Sequence, residues 1–454
     1  MGIGKDLRRV VRGRAVGPGE EGFDHLRLAW NRAVDQRVSA VVEVADAADV
    51  AAVVQYAAQA GLAVSTQATG HGASAAANDT ILLKTRGLDG VRVDAQAKRA
   101  VVGAGAPWAV VLEAAAKHGL AGAVGSSDVV GVAGYTLGGG VGWFSRSQGL
   151  AANSVRALEA VTADGRQVRV TADAEPDLFW ALRGGGGGDF AVVTALEFDL
   201  FEANRLYGGR MLWPATKAEA VVAAFRRATV EAPESLSLWL AVVQFPPFPQ
   251  LPEFLRGQSM VVVDCVSADG VTSPLRWFDE IPGRLLDTRR ELDAAQLGGI
   301  CMEPTTPTPS RARGELLTEF SPAVSEALLA AAIPGGTPAP LAMMQVRHLG
   351  GALTRPAADA GSAGAITEPY LLSLLGPVLT REMGAVVEAR QQAVLAAVRP
   401  YLSGRKPYTY LDVGESASAA FEPAVLERLR AIKKSYDPAG TLRGSFPIGG
   451  VNIT

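Results

Sequence analysis

VGSSDVVGVAGYTLGGGVGW, residues 124–143, has seven glycines in twenty positions and runs into the polar Ser145, Arg146 and Ser147. Glycine costs backbone entropy in any regular element, so this density implies left-handed turns or close approach of backbone to a ligand. Val129, Val130, Val132, Leu137 and Val141 lie between the glycines, whereas a flexible linker would be polar and Ser-rich. The stretch reads as a buried, ligand-lining loop flanked by strand or helix pieces. The competing reading is a tight core turn that needs small residues.

Upstream, residues 39–44 are β-branched and apolar, as in a strand. Asp46 then caps a helix with Val50, Val53, Val54, Ala57 and Ala58 on one face, and Gly61 ends it. A second strand over 62–65 completes a β-α-β unit and leads into QATGHGAS, residues 67–74. A loop after a strand end is where such sheets offer backbone N–H groups to phosphates. Its glycines do not follow G-x-G-x-x-G, which disfavours a nicotinamide site. His71, between Gly70 and Gly72, has no sequence neighbour to shield its ring. Downstream, residues 80–84, 91–94, 99–102, 155–162 and 167–170 read as strands, with Asp164-Gly165 turning a hairpin. PDLFWAL (176–182) is a short helix, and Gly184–Gly188 forms a second glycine-dense approach site before a strand.

At 454 residues the chain is long enough for two domains. A net charge of −3 without a Lys/Arg cluster gives no pull toward nucleic acid. The first residues lack a signal peptide's apolar core, no window is long enough to span a membrane, and Gly2 lacks a myristoylation context. Two cysteines (Cys265, Cys301) and four scattered histidines make a metal site an unexpected feature. The expectation is a soluble, cytoplasmic protein with no membrane or nucleic-acid partner.

The order strand–TGHG, SSDVVGVAGYTLGGGVG, GL-x₁₁-TADG, PDLFWALRGGGGGDFAVVT resembles the FAD-binding domain of berberine-bridge-enzyme-like oxidases. These are PCMH-type proteins of the vanillyl-alcohol-oxidase superfamily, and the resemblance covers roughly residues 36–203. It implies that His71 carries FAD covalently, from a ring nitrogen to the flavin 8α-methyl. Gln67, Ala68, Thr69, Gly70 and Gly72 would wrap the pyrophosphate with backbone N–H groups. Many members add a thioether from a cysteine four residues before the glycine matching Gly131. Ser127 stands there, and a hydroxyl is a far poorer nucleophile than a thiolate, so a single link through His71 is expected. Ser126, Ser127, Val130, Gly131, Gly134, Tyr135, Gly138, Gly139, Gly142, Val192 and Val193 are the other cofactor contacts it implies. Tyr135 replaces a frequent histidine, Val141 an occasional tyrosine, and Val130 matches a position beside the flavin C4a associated with oxygen access.

From about residue 204 the pattern changes. Residues 210–213, 236–245, 260–266, 342–348 and 370–375 read as strands, separated by helices over 218–229, 322–331 and 381–398. The expected fold is α+β: a PCMH-type two-subdomain FAD-binding domain plus a substrate domain whose mostly antiparallel sheet is covered by helices on one face. The division is 1–35 as a segment packing on the FAD domain, 36–203, 204–400, and 401–454 returning to the FAD domain. VRHLGG (346–351) resembles a strand of bacterial relatives that faces the flavin, which makes Arg347 or His348 a substrate contact. Trp239 and Gln244 are an odd number of residues apart, hence on opposite faces, and Trp239 is the preferred contact. KPYTYLD (406–412) resembles the family's Y-x-N-Y-x-D strand, with Thr409 in place of asparagine and Tyr408 one place from the first tyrosine. By that resemblance Tyr410 is the catalytic base and Tyr408 its alternative. A phenol with an ordinary pKa of ~10 needs a nearby cation for that duty.

The resemblance implies an FAD-dependent oxidase taking a hydride from a small organic substrate, a secondary metabolite, with O2 reoxidising the flavin to give H2O2. Redox-neutral or oxidative cyclisation, or oxidation of a carbohydrate or alcohol, are the alternatives. Few charged anchors are evident for the pocket, which favours an apolar, polycyclic or aromatic substrate.

Overall fold

The computed structural model describes residues 2–332 and 340–450 and builds them around three main sheets. In the first, Ala40–Glu43, Thr80–Lys84 and Ala63–Gln67 run parallel, with Arg14–Val16 antiparallel on the outer side of Ala40–Glu43. Helix Ala47–Ala60 crosses over between two of these strands. The Asp46 side chain accepts from the Ala48 and Asp49 N–H groups, Gly61 ends the helix at φ 66°, and Val50, Val53, Val54 and Ala57 are buried. Leu442 bridges Val64, so the returning C-terminal segment covers the edge of Ala63–Gln67.

The second sheet is antiparallel, in the order Val91–Asp94, Arg99–Gly103, Val192–Asp199, Val155–Val161, Gln167–Val170. Helices Trp108–Ala116, Val132–Leu137 and Pro176–Leu182 share its core. The glycine-rich stretch therefore becomes a loop, a short helix and a second loop over residues 124–143.

The third sheet is antiparallel throughout: Leu286–Asp287, Leu206–Pro214, Ser259–Ser267, Leu236–Gln244, Met343–His348, Tyr370–Pro377, Ser310–Leu317. Alternation sends Leu238, Leu240, Val242, Val263, Val346 and Leu372 toward helices Ala218–Glu231, Pro322–Ala332 and Arg381–Ala397. Full burial of each such side chain contributes ~1.5–3 kcal/mol. The residues between them, Ser237, Trp239, Asp264, Gln345 and Arg347, point the other way, toward the glycine-rich stretch. The α+β class and the helix-covered antiparallel sheet are as expected.

One strand was not read from the sequence, and one local expectation fails. Ser310–Leu317 is a strand, yet its SRARG start, with two arginines and a glycine, has no apolar alternation. Charge of this kind protects an edge strand, which this is. Residues 406–412 are not a strand: Pro407 (φ −66°) precedes a single 3₁₀ turn, Tyr408–Tyr410, closed by the Tyr410 N–H donating to the Pro407 carbonyl at 2.8 Å. No helix among the described residues is long and apolar enough to cross a membrane.

Candidate active site

The loop after strand Ala63–Gln67 is turned by its neighbour, residues 28–31. The Trp30 and Asn31 N–H groups donate to the Thr69 and Gly70 carbonyls at 3.0 and 3.4 Å. Gln67 Nε2 and Lys84 Nζ both donate to the Leu28 carbonyl at 3.1 Å. Gly70, at φ 88°, is required here, because a Cβ would lie 2.9 Å from Ala29. With the carbonyls of Thr69 and Gly70 so engaged, the N–H groups of residues 68–72 donate to no protein acceptor among the described residues. Five successive unpaired N–H groups beyond a strand end form an anion cradle.

His71 stands at the rim of that cradle. Its Nδ1 is hydrogen-bonded to Thr69 Oγ1 at 2.8 Å, and the Trp30 indole stacks on the ring at a centroid distance of 4.3 Å and 20° between planes. The expectation of an unshielded imidazole is thus corrected: the N-terminal segment supplies the shield. Burial lowers the ring's pKa to about 4, so it is neutral near pH 7.

In the glycine-rich stretch, the N–H groups of residues 126–131 also lack protein acceptors among the described residues, while the Asp128 and Val130 carbonyls accept from Ala109 and Trp108. A Cβ on Gly72 or Gly134 would meet nothing within 4 Å, so both border open space. One on Gly131 would lie 3.2 Å from Ala68 Cβ, which brings the two loops together. Gly138 and Gly142, expected to admit a ligand, instead admit the protein: Thr409 and the Val124 carbonyl stand 2.8 and 2.0 Å from their would-be Cβ positions. Gly139 sits at φ 101° with Ala363 at 3.4 Å. Gly184 and Gly186 likewise make room for Ala363 and Tyr408, so the second glycine cluster is a packing device.

The Tyr135 hydroxyl, Thr136 Oγ1 and Thr409 Oγ1 are buried without a partner in the described structure. Burial raises the Tyr135 phenol well above the tyrosine range. Val192 and Val193 start the strand paired to Val155–Val161, with both side chains in the core. Two runs of unpaired N–H groups, orphaned hydroxyls and open glycine faces fit an elongated ligand rich in acceptors, as FAD is.

Opposite lies the polar face of the third sheet. Asp264 pairs with Arg210 through two hydrogen bonds (2.7 and 2.8 Å), and the Cys301 thiol donates to Asp264 Oδ2 at 3.5 Å. Burial and the Asp264 carboxylate push the Cys301 thiol up, so it is held neutral. Register sets Trp239 against both Asp264 and Arg347. The Trp239 ring stacks on Trp143 (3.5 Å, 10°) and carries the Arg347 guanidinium at 3.9 Å. Arg347 Nε donates to Gln345 Oε1 at 2.6 Å, and its Nη2 reaches Ser126 Oγ at 3.5 Å. The guanidinium is also 5.8 Å from the Tyr410 ring centroid, and Tyr410 lies on Gly314, where a Cβ would come within 2.5 Å of the ring. Burial raises the Tyr410 pKa, Arg347 opposes this, and Glu303 adds to it.

Three expectations change here. His348 is on the helix side of the sheet, with Nε2 3.1 Å from Arg146 Nη1 and its ring 5.5 Å from Tyr370, because consecutive strand residues face opposite ways. Trp239 has both ring faces covered, so it is a platform for Arg347 with no face left for a substrate. Tyr408 packs among Gly186, Phe421 and Phe446, whereas Tyr410 stands beside Arg347. The charged pair Arg210–Asp264 was missed, because both residues lie in strands that read as apolar. Trp30 and Asn31 were missed as site residues. Their only signal was the apolar cluster before the first parallel strand. Among the described residues no group of His, Cys, Asp or Glu could hold a metal.

The fold is of the PCMH type seen in berberine-bridge-enzyme-like proteins. Residues 38–171 match the family model of the FAD binding domain. In sequence the chain is similar to (R)-6-hydroxynicotine oxidase of Paenarthrobacter nicotinovorans, 35% identical over 46% of this chain and 46% of that protein. The chain thus spans about half the length, or less, of the sequence relatives it matches. In structure it is similar to 6-hydroxy-D-nicotine oxidase from Arthrobacter nicotinovorans (TM-score 0.81, 23% identity, 95% and 96% of the two chains). It is likewise similar to BBE-like 1 of Physcomitrella patens (TM-score 0.84, 21% identity, 98% of each chain).

Proposed function

We propose that this protein is an FAD-linked oxidase of a small organic substrate, a secondary metabolite, with FAD attached through His71 alone. The observation that carries the reading is a juxtaposition: Arg347, beside Tyr410 on the sheet face, reaches Ser126 in one of two runs of unpaired N–H groups, within a match to an FAD binding domain. Residues 36–203 hold the cofactor, 204–400 present the substrate face, and 401–454, whose last four residues lie outside the described structure, bring Tyr410 back to the junction. The similarity to a named oxidase, (R)-6-hydroxynicotine oxidase, supports oxidase chemistry.

FAD supplies the hydride acceptor and the centre that O2 reoxidises, with release of H2O2. Residues 68–72 and 126–131 would hold its phosphates and ring edge by backbone N–H groups, and His71 presents a neutral ring for attachment. Tyr410 takes the substrate's proton, and the Arg347 guanidinium favours the phenolate that accepts it. Ser127 and the neutral Cys301 thiol offer no second attachment.

The experiment is the absorption spectrum of the purified protein before and after acid precipitation, with peroxide assayed as photoreduced flavin returns to air. The reading expects yellow colour in the pellet, its loss from the pellet of His71→Ala, and stoichiometric peroxide. A colourless protein that cannot be reconstituted with FAD, or a reduced flavin inert to air, would overturn it.

A further inference from the structure

Four arginines are buried among the described residues: Arg146, Arg183, Arg210 and Arg347. Three meet oxygen acceptors through their Nη groups, although Arg183 Nε is left without a partner among the described residues. Arg146 donates to the Leu236, Ala232, Pro233 and Leu349 carbonyls, Arg183 meets the Asp359 carboxylate and carbonyl, and Arg210 forms its two-pronged pair with Asp264. Arg347 differs. Its Nε is taken by Gln345, its Nη2 has only the long contact to Ser126, and its Nη1 donates to nothing. No carboxylate among the described residues pairs with it. A desolvated cation without a counter-charge is costly, and Trp239 beneath it offsets only part of that cost.

We propose that the substrate is an organic anion, whose carboxylate or comparably acidic oxygen takes the free edge of Arg347 beside Tyr410. This rests on the reading of the cleft as an oxidase site. The Nε bond to Gln345 and the Trp239 platform fix the plane of the guanidinium, so the remaining Nη edge faces the Ser126 side of the cleft. A planar fork held this way is suited to two parallel bonds to one carboxylate. Asp264 does not compete for the edge, because Arg210 neutralises it. Glu303, half-buried, places a negative charge near Tyr410, Cys301 and Arg210 but forms no ion pair with Arg347 among the described residues.

The test is titration of the FAD-loaded protein with benzoate, cinnamate and 2-naphthoate, each against its primary amide, read as a difference spectrum of the bound flavin. At least one carboxylate is expected to bind about tenfold or more tighter than its amide. Arg347→Met should weaken that carboxylate about 30-fold or more while moving the amide little, and Arg347→Lys should restore part of the preference. The proposal is overturned if no carboxylate outbinds its amide, or if the preference survives in Arg347→Met. It is also overturned if Arg347→Met purifies with depleted FAD or an altered flavin spectrum before ligand is added, since Arg347 would then serve the cofactor. A wild-type protein that takes up no FAD overturns the oxidase reading along with this one. Flavin present and reactive with air, but indifferent to carboxylates, overturns this inference alone.

Discussion

The Trp30 indole lies on the His71 imidazole, ring centroids 4.3 Å apart, while Thr69 Oγ1 holds Nδ1 at 2.8 Å. The first residue comes from the N-terminal segment and the second from the loop after strand Ala63–Gln67. Their contact sets the protonation of the proposed attachment site. With a pKa of about 4 the ring is neutral at pH 5.5 and at 7.5, so covalent uptake of FAD by apoprotein should run equally fast at both. Trp30→Ala returns the pKa toward ~6.5, and the neutral fraction, hence the rate, should then be about tenfold lower at pH 5.5 than at 7.5. Acid-precipitable flavin followed over time checks this. Equal rates in the variant would remove Trp30 from any such role.

Tyr410 and Tyr408 should separate cleanly. Tyr410→Phe keeps its packing on Gly314 and its FAD, and should lose about 10²–10⁴-fold in kcat if the phenol accepts the proton. Tyr408→Phe should keep activity, because that ring only fills the space left by Gly186 and Gly138. Steady-state kinetics on flavin-matched samples decides, and a Tyr408→Phe collapse with an active Tyr410→Phe would reverse the assignment.

The pH profile follows from the same residue. Its pKa is raised by burial, so the phenolate a base needs grows with pH across the accessible range. The rate constant kcat/KM should therefore climb about tenfold per pH unit on the alkaline side without a plateau near neutrality. A flat profile above pH 7 would mean another group takes the proton.

Two glycines in one stretch should respond in opposite ways to alanine. Gly134→Ala adds a methyl into open space on a short helix, so the apoprotein's melting point should hold or rise while FAD affinity falls. Gly142→Ala drives a methyl into the Val124 carbonyl and the Tyr135 hydroxyl, and should destabilise the apoprotein itself by about 1–3 kcal/mol or more. Thermal melts with and without FAD distinguish the two.

Asn31 clasps two regions. Its backbone N–H holds Gly70, and its side chain accepts from the Ser310 N–H at 3.1 Å and donates to the Ser310 carbonyl at 2.9 Å. Asn31→Ala should cost about 1–3 kcal/mol, seen as a lower urea midpoint with unchanged slope. No shift would show that solvent satisfies Ser310 as well.

The β-α-β unit, the antiparallel sheets and the longer helices were legible because each carries its own period, and helix Ala47–Ala60 also its caps, Asp46 and Gly61. The strand Ser310–Leu317 and the turn at Tyr408–Tyr410 were not, since an edge strand with arginines and a proline-led turn have no repeating apolar face to read. Residue types told which loops approach a ligand, but not which glycine approaches ligand and which approaches protein. That distinction depends on what the rest of the chain brings opposite.

By itself, then, the sequence determined the element pattern, the FAD-binding motifs and the identity of His71, Arg347 and Tyr410 as candidates. The element pattern is local and follows from the periodicity and conformational freedom of neighbouring residues, whereas the motifs and candidates follow from their resemblance to a known family. Only the tertiary structure decided that Arg347 and not His348 faces the cleft, that Trp239 is covered on both sides, and that Trp30 shields His71. Each of these rests on strand register or on contacts between segments distant in sequence, where the energy comes from burial against a partner that no single stretch contains.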